Sequence, residues 1–524
     1  MAGSLNWIDY AVLVVYLVGT MLIGFRLSRN ITTGRDLFLA GKTLPWWAVG
    51  FSLVATDIGG TDIIGVGGAA YVHGLAVGNF EWIGCVPAMI IAAFVFIPLF
   101  WRAGVYTIPE FLERRYNASV RSALAICWFV FMACNLGIML FASARMLNVL
   151  FGWDPIFAIL LTAILVGIYT YSGGLAAVVY TDVLQCIIMI GGCLLVLVLG
   201  LNDVGGISGL VEKIRAVEAA QRPAGAAVPE MLEHTRLILP VDTASPFPWT
   251  GILFGLGLIL GPAYWIGNQA IVQRALGARS EFEAKASYVW GALLKNIIPL
   301  IVAVPGLIAL AKFPDLAKGD DAVPTLVARM LPMGLRGLFL AAFMAALMSS
   351  VDSYLNSAAT LLTNDLYKRF LRPNSTDEHI LRIGRIVTVV LIVWGIFFAL
   401  LLGRIESSGI YAIFQTLMAF FQGPALAVLI AGILWRRATG AGALVGFIGG
   451  VGCTVTLFTL NHQAIYSRIG WQPLFKIAEP FLYFSIWGFL VALLLVIAVS
   501  LLTRPEPEEK IAGLVYRWRE KKAA

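Results

Sequence analysis

The chain has 524 residues, 60% apolar and 13% charged, where soluble domains carry about 25% charged residues. No water-soluble fold can hide that much apolar surface, so lipid must cover part of it. The formal charge of +7 would suggest nucleic acid in a soluble protein; here the basic residues fall in short loops that fix membrane orientation, and nucleic-acid binding is excluded as a partner class.

Apolar runs long enough to cross a bilayer lie near residues 7–27, 45–68, 76–100, 122–151, 155–172, 178–201, 248–272, 287–312, 335–363, 381–403, 408–434, 440–460 and 479–503. The expectation is an all-α polytopic membrane protein of about thirteen transmembrane helices. The run from Trp7 to Phe25 has no basic segment before it and is followed by Arg26 and Arg29, so it is read as a permanent helix and not a signal peptide. With the N-terminus outside, alternate loops gather the basic residues: Arg26, Arg29, Arg35 and Lys42; Arg102, Arg114, Arg115 and Arg121; Arg274, Arg279 and Lys285; Lys368, Arg369, Arg372, Arg382 and Arg385; Arg436 and Arg437; and, in the tail, Arg504, Lys510, Arg517, Arg519, Lys521 and Lys522. These loops and the C-terminus are therefore assigned to the cytoplasm. All six cysteines lie in apolar segments, and His73, His234, His379 and His462 lack metal-ligand spacing, so neither a disulfide framework nor a metal centre is expected.

The chain divides into an N-terminal extra helix and loop (1–44), five helices (45–201), an external loop (202–247), five more helices (248–434), two accessory helices (435–503) and a cytoplasmic tail (504–524). Each five-helix group opens on a glycine-interrupted run. The first holds Asp57-Ile58-Gly59-Gly60-Thr61-Asp62; the second holds Gly255-Leu256-Gly257 and Gly261-Pro262. Interrupted helices at matching places in two halves point to an inverted-repeat transporter with its site at the breaks. A glycine face for close packing is the competing reading.

Ionisable groups inside a membrane need a partner or water. Those within the runs are Asp57, Asp62, Glu81, Arg145, Asp182, Lys295 and Asp352. Lys295 has no second charge in its own helix and needs an acceptor from a neighbour, Asp62 or Glu81, or from a bound solute. In Ala345-Ala346-Leu347-Met348-Ser349-Ser350-Val351-Asp352-Ser353, spacings of three and four put Ala346, Ser349 and Ser353 on one face. Two hydroxyls and a carbonyl there, with carbonyls of the unwound helix at Ala55 and Ile58, supply five oxygens for a hard cation such as sodium. Serines in membrane helices also bond their own i−4 carbonyls, which is the plainer reading.

Four stretches in order, Tyr106-Thr107-Ile108-Pro109-Glu110-Phe111-Leu112-Glu113-Arg114-Arg115, Gly173 to Asp182, Tyr264-Trp265-Ile266-Gly267-Asn268-Gln269 through Arg274, and Ser349 through Tyr367, resemble the sodium–solute symporter family and its sodium–sugar branch. The resemblance implies a LeuT-type core of two inverted five-helix repeats with broken first and sixth core helices. It implies a sodium (Na+) site on Ala55, Ile58, Ala346, Ser349 and Ser350, and in some members a second sodium near Asp182, Ser349, Asp352 and Ser353. It places the solute at Glu81, Tyr264, Lys295 and Gln415, with Trp265 as a stacking platform; Tyr264 is alternatively an inner gate. Two departures stand out. Asp62, counted with the solute-binding residues, occupies a position where sugar carriers have Gln or His, and Gly261 one where they have Asn or Thr. Asp57 matches an acidic residue of the proline-type branch and is assigned to coupling.

The expected function is sodium-driven import of a small polar solute, a sugar or polyol, across the plasma (inner) membrane by a non-enzymatic monomer or weak homo-oligomer. An amino acid, another amino compound or a carboxylate is the alternative cargo. A membrane solute sensor is the alternative class.

Overall fold

The computed structural model describes residues 6–28, 38–172, 174–221, 233–404, 409–477 and 479–516. Of the basic residues used for orientation, Arg29, Arg35, Arg517, Arg519, Lys521 and Lys522 lie outside them, as does Gly173.

In chain order the helices are α1 (Trp7–Ser28), α2 (Trp46–Asp57), α3 (Gly60–His73), α4 (Leu75–Ala103), α5 (Ile108–Arg115), α6 (Ala118–Phe151), α7 (Pro155–Ser172), α8 (Leu175–Val204), α9 (Gly206–Ala220), α10 (Gly251–Gly267), α11 (Gln269–Leu276), α12 (Glu281–Lys295), α13 (Ile298–Lys312), α14 (Ala322–Met330), α15 (Leu335–Leu371), α16 (Asp377–Leu402), α17 (Ile410–Ala419), α18 (Gln422–Leu434), α19 (Gly440–Asn461), α20 (Gln463–Ile469) and α21 (Phe481–Leu502). Among the described residues ten helices are long and apolar enough to cross a membrane, and two bent pairs raise the number to twelve. The remaining expected span, 155–172, is α7, whose apolar part Pro155–Ile168 is shorter than the others.

Local chemistry starts and stops these helices. The Thr107 side chain accepts from the Glu110 N–H at 3.1 Å and Asn117 from Val120 at 3.0 Å, each satisfying an orphan donor of a first turn. Gly104 and Gly152, at φ of 65° and 67°, end α4 and α6, where the left-handed conformation favours glycine.

The first break falls where the sequence places it. At Ile58 (φ −89°, ψ 90°) and Gly59 (φ −93°, ψ −179°) the backbone leaves helical geometry, and α2 and α3 bend by 55°. The second break does not fall at the glycines. The chain stays helical from Gly251 to Gly267 and bends by 51° at Asn268 (φ −71°, ψ 118°), whose side chain caps α11 through the Ala270 N–H at 2.9 Å. Gly255 and Gly261 instead admit neighbouring backbone: a Cβ would stand 2.5 Å from the Leu482 carbonyl oxygen and 2.0 Å from that of Gly84. The packing reading therefore holds for these glycines.

The stretch 202–247 contains a helix, α9. Arg274, assigned to a cytoplasmic loop, lies in α11 and is 1% exposed, while Arg115 and Arg121 are also buried. Arg115 donates to the Gly432 and Trp435 carbonyls at 2.7 and 3.0 Å, so it ties α5 to the end of α18 and does more than mark a membrane side.

Because α10 rests on α4 through Gly261, Gly261→Ala is expected to lower the detergent melting temperature by an amount equivalent to about 1–3 kcal/mol of overpacking. Gly191→Ala, with nothing within 4 Å of its Cβ position, is expected to leave it unchanged.

Candidate functional site

The α2–α3 break frees a carbonyl by diverting its donor. In a continuous helix the Gly59 N–H would bond the Ala55 carbonyl; here it donates to Asp62 Oδ2 at 2.9 Å, and Asp62 caps the first turn of α3. The Ser350 hydroxyl of α15 faces the exposed end of α2, 3.0 Å from the Thr56 carbonyl oxygen and 3.5 Å from that of Ala55. Gly59 makes this approach possible, since a Cβ there would stand 2.8 Å from Ser350 Oγ. Ala346, Ser349 and Ile58 are buried.

Beside it lies a second polar group. Asp182 accepts from Ser349 Oγ at 2.6 Å and Ser52 Oγ at 2.5 Å, and lies 3.4 Å from Arg274 Nη2. Ser353 Oγ donates to the Ser349 carbonyl, stands 3.1 Å from Thr56 Oγ1 and 3.3 Å from Asp352 Oδ1, and receives Arg274 Nη2. The Arg274 guanidinium thus brings a fixed positive charge to Asp182 and Ser353, two of the residues named for a second sodium.

On the other side of the break, Lys295 Nζ pairs with Asp57 Oδ2 and, at 2.6 Å, with Glu81 Oε2. Glu81 was one of the acceptors expected; Asp57 replaces Asp62 as the other, because Asp62 is engaged at Gly59. Lys295 is fully buried, while the Asp57 and Glu81 side chains each keep 13% exposure. The Trp265 ring centre is 5.8 Å from Lys295 Nζ, and its carbonyl is held by Tyr288 Oη at 2.9 Å. Tyr264 Oη meets Tyr354 Oη at 3.3 Å. Gln415 is buried on α17 near Tyr411. The break thus brings Asp57, Asp62, Glu81, Lys295, Trp265 and Tyr264 into one neighbourhood.

A vestibule of about 470 Å³ opens on the α9 side, lined by Gly65, His73, Arg145, Asp320, Tyr411 and Phe481 among others. Arg145 does not reach the solute group; it holds Asp321 in a bidentate pair at 2.6 Å. Asp320 accepts from the Ile410 N–H at 3.1 Å, and its burial pushes its carboxyl above the ordinary range. The vestibule wall includes an aromatic cluster, in which Phe80 stands 5.2 Å from Tyr411, 5.7 Å from Phe247 and 6.4 Å from Phe481, ring centre to ring centre. On the opposite side Asp365 accepts from Thr107 at 2.8 Å and Arg121 at 2.7 Å, and Glu113 pairs with Arg121 and, at 2.7 Å, with Arg369. Burial would raise the Glu113 carboxyl, but the two arginines outweigh it and hold it below the ordinary range. This network joins α5, α6 and the end of α15.

Reading the sequence alone missed Arg274, Ser52, Thr56, Tyr354 and Tyr411 as parts of the site. The signal for Arg274 was its place among apolar residues, Ala270-Ile271-Val272 and Ala275-Leu276. Ser52 and Tyr411 stand as single polar residues in apolar runs, without the clustering that marks Ser349, Ser350 and Ser353.

A family model described as the sodium:solute symporter family matches residues 37–450. Human sodium/glucose cotransporter 4 is 32% identical over 546 residues, covering 98% of this chain and 78% of that protein. The sodium/glucose cotransporter of Vibrio parahaemolyticus is 33% identical over 475 residues, 86% of this chain and 84% of that protein. Among solved structures, a Na+-coupled sialic acid symporter in a substrate-bound outward-open state superposes with a TM-score of 0.78 at 22% identity, over 95% of this chain and 99% of that one. Mhp1, a nucleobase-cation-symport-1 family transporter in a closed conformation, gives 0.56 at 11% identity, over 91% and 97%. The fold is the LeuT-type transporter core, and the chain is not an enzyme.

Lys295→Met leaves Asp57 and Glu81 buried against each other without their cation. Breaking such a pair costs about 3–5 kcal/mol, so a marked fall in detergent melting temperature is expected, with recovery when Asp57→Asn and Glu81→Gln are added. An unchanged melting temperature for the single variant would contradict the pairing.

Proposed function

The chain belongs to the sodium:solute symporter family, and from that premise we propose that it imports a sugar or polyol by coupling it to sodium. The observation that carries this reading is the Ala55 carbonyl, deprived of its helical donor and set beside the Ser350 hydroxyl. Sodium prefers such hard oxygen donors. We assign it to the carbonyls of Ala55, Ile58 and Ala346 and the hydroxyls of Ser349 and Ser350. The similarity to proteins named sodium/glucose cotransporters supports a sugar as the cargo.

Coupling follows from the shared helix. An ion bound at the C-terminal end of α2 neutralises that end's partial negative charge and fixes the α2–α3 bend, and the bend sets where Asp57 and Asp62 stand relative to Lys295 and Glu81. Sodium and solute then bind better together than apart, by about 1–3 kcal/mol, and the effect is reciprocal. An inside-negative potential adds about 2.3 kcal/mol per charge per 100 mV to inward movement.

Access alternates around this site. The vestibule on the α9 side is the outer entrance, and the Phe80–Tyr411 cluster closes it over the solute. Tyr264 and Tyr354, with the Asp365–Arg121–Glu113 network beyond them, close the inner route. In this reading the chain resides in the plasma membrane with its N-terminus outside and its C-terminus in the cytoplasm.

Ser350→Ala removes one donor oxygen from the ion and leaves the solute residues intact. In proteoliposomes it is expected to raise the sodium concentration for half-maximal uptake of labelled glucose by about tenfold, within the range of measured coupling factors, with uptake at saturating sodium nearly unchanged. Unaltered sodium dependence would refute the ion assignment.

A further inference from the structure

The charges around the proposed solute site do not balance. Asp57 and Glu81 share Lys295, and Asp62 lies within electrostatic reach of both acids and of the lysine. Three carboxylates face one ammonium. With all three carboxyls ionised, a sodium ion at the α2 end raises the positive count to two and still leaves one negative charge over. Arg274 cannot supply the balance, because it is committed to Ser52, Asp182, Ser353 and the Ala270 carbonyl.

Uncompensated charge inside a membrane is costly, and buried charges are found paired. A neutral sugar brings hydroxyls but no charge, so it leaves the surplus in place. The site also holds unfilled bonding capacity. Asp62 spends Oδ2 on the Gly59 N–H, and Oδ1 has no hydrogen-bond partner among the described residues. The Trp265 indole N–H is fully buried with no acceptor oxygen or nitrogen among the described residues and the Cys85 sulfur near it. The Asp57 and Glu81 side chains each keep 13% exposure, so neither is fully enclosed by protein.

We propose that the natural cargo is a sugar or polyol carrying a protonated amine, its ammonium held by Asp62 and Glu81 and a hydroxyl taking the Trp265 N–H. This rests on the solute site assigned above and narrows its chemistry. Charge-assisted bonds from an ammonium to two carboxylates are about twice as strong as neutral ones, and they neutralise the surplus that a glucose-like solute cannot.

The test uses the full chain in liposomes with a sodium gradient, potassium replacing sodium in the control. Paired probes differ mainly in charge: D-glucosamine against D-glucose, and N-methyl-D-glucamine against sorbitol. At least a tenfold preference for the amine of each pair is expected, together with one more positive charge moved per solute than for glucose. Asp62→Asn keeps an acceptor for the Gly59 N–H and is expected to narrow the preference to about twofold; a retained sodium-induced rise in melting temperature shows that this variant is folded. Should it not fold, the wild-type pairs decide alone. Equal or better sodium-dependent uptake of the neutral partners overturns the proposal while leaving sodium–sugar symport standing. Neutral-sugar uptake that also draws protons into the lumen overturns it too, since a proton then supplies the missing charge. Sodium-independent behaviour of every probe, with no sodium effect on melting, sinks the symport reading itself.

Discussion

One hydrogen bond sets the geometry of this molecule: the Gly59 N–H to the Asp62 carboxylate. It takes a donor out of α2 and uses it to start α3, so one side chain both ends one half-helix and caps the next. The broken span therefore presents bare carbonyls on one side of the break and the positive N-terminal end of α3 on the other. The glycines provide the space for this: Gly59 lets Ser350 approach and Gly60 lets α15 pack through Phe343 and Leu347.

The second constraint is electrostatic. This core buries Asp57, Glu81 and Lys295 as one cluster and Asp182, Ser353 and Arg274 as another, on either side of α2. Such clusters add little net stability compared with apolar packing, but losing one member is severe. Their value is positional. Each ties a broken helix to an unbroken one: α2 to α12 through Lys295, and α11 to α8 through Arg274. A shift of either break must move a charge, so ion, solute and helix rearrangement are linked by the same contacts.

Much of this was legible in the sequence, and the failures are instructive. Asp57 to Asp62 marked the first break because two acids and two glycines weaken an apolar run too much for an unbroken membrane helix to be the natural expectation. Gly255, Gly257 and Gly261 look the same as letters, yet the helix passes through them and breaks at Asn268. Glycine permits either a bend or a close approach, and only the neighbouring backbone, here that of Gly84 and Leu482, decides which. Asn268 could be recognised only as a cap, by its side chain bonding the Ala270 N–H. Arg274 was misread because loop arginines and buried arginines are the same letter. Lys295 was correctly flagged as needing an acceptor from another helix, while the identity of that acceptor depended on Asp62 being committed elsewhere.

The most direct test of the central claim needs no solute. Amide hydrogen exchange across residues 54–63 should be measured in sodium chloride and in potassium chloride at equal ionic strength. The amides of Gly60 and Thr61, in the first turn of α3, lack intrahelical acceptors, so their protection reports how firmly the break is held. The account expects sodium to slow exchange in this segment and in the facing stretch of α15 around Ser350. Identical exchange in the two salts would contradict it.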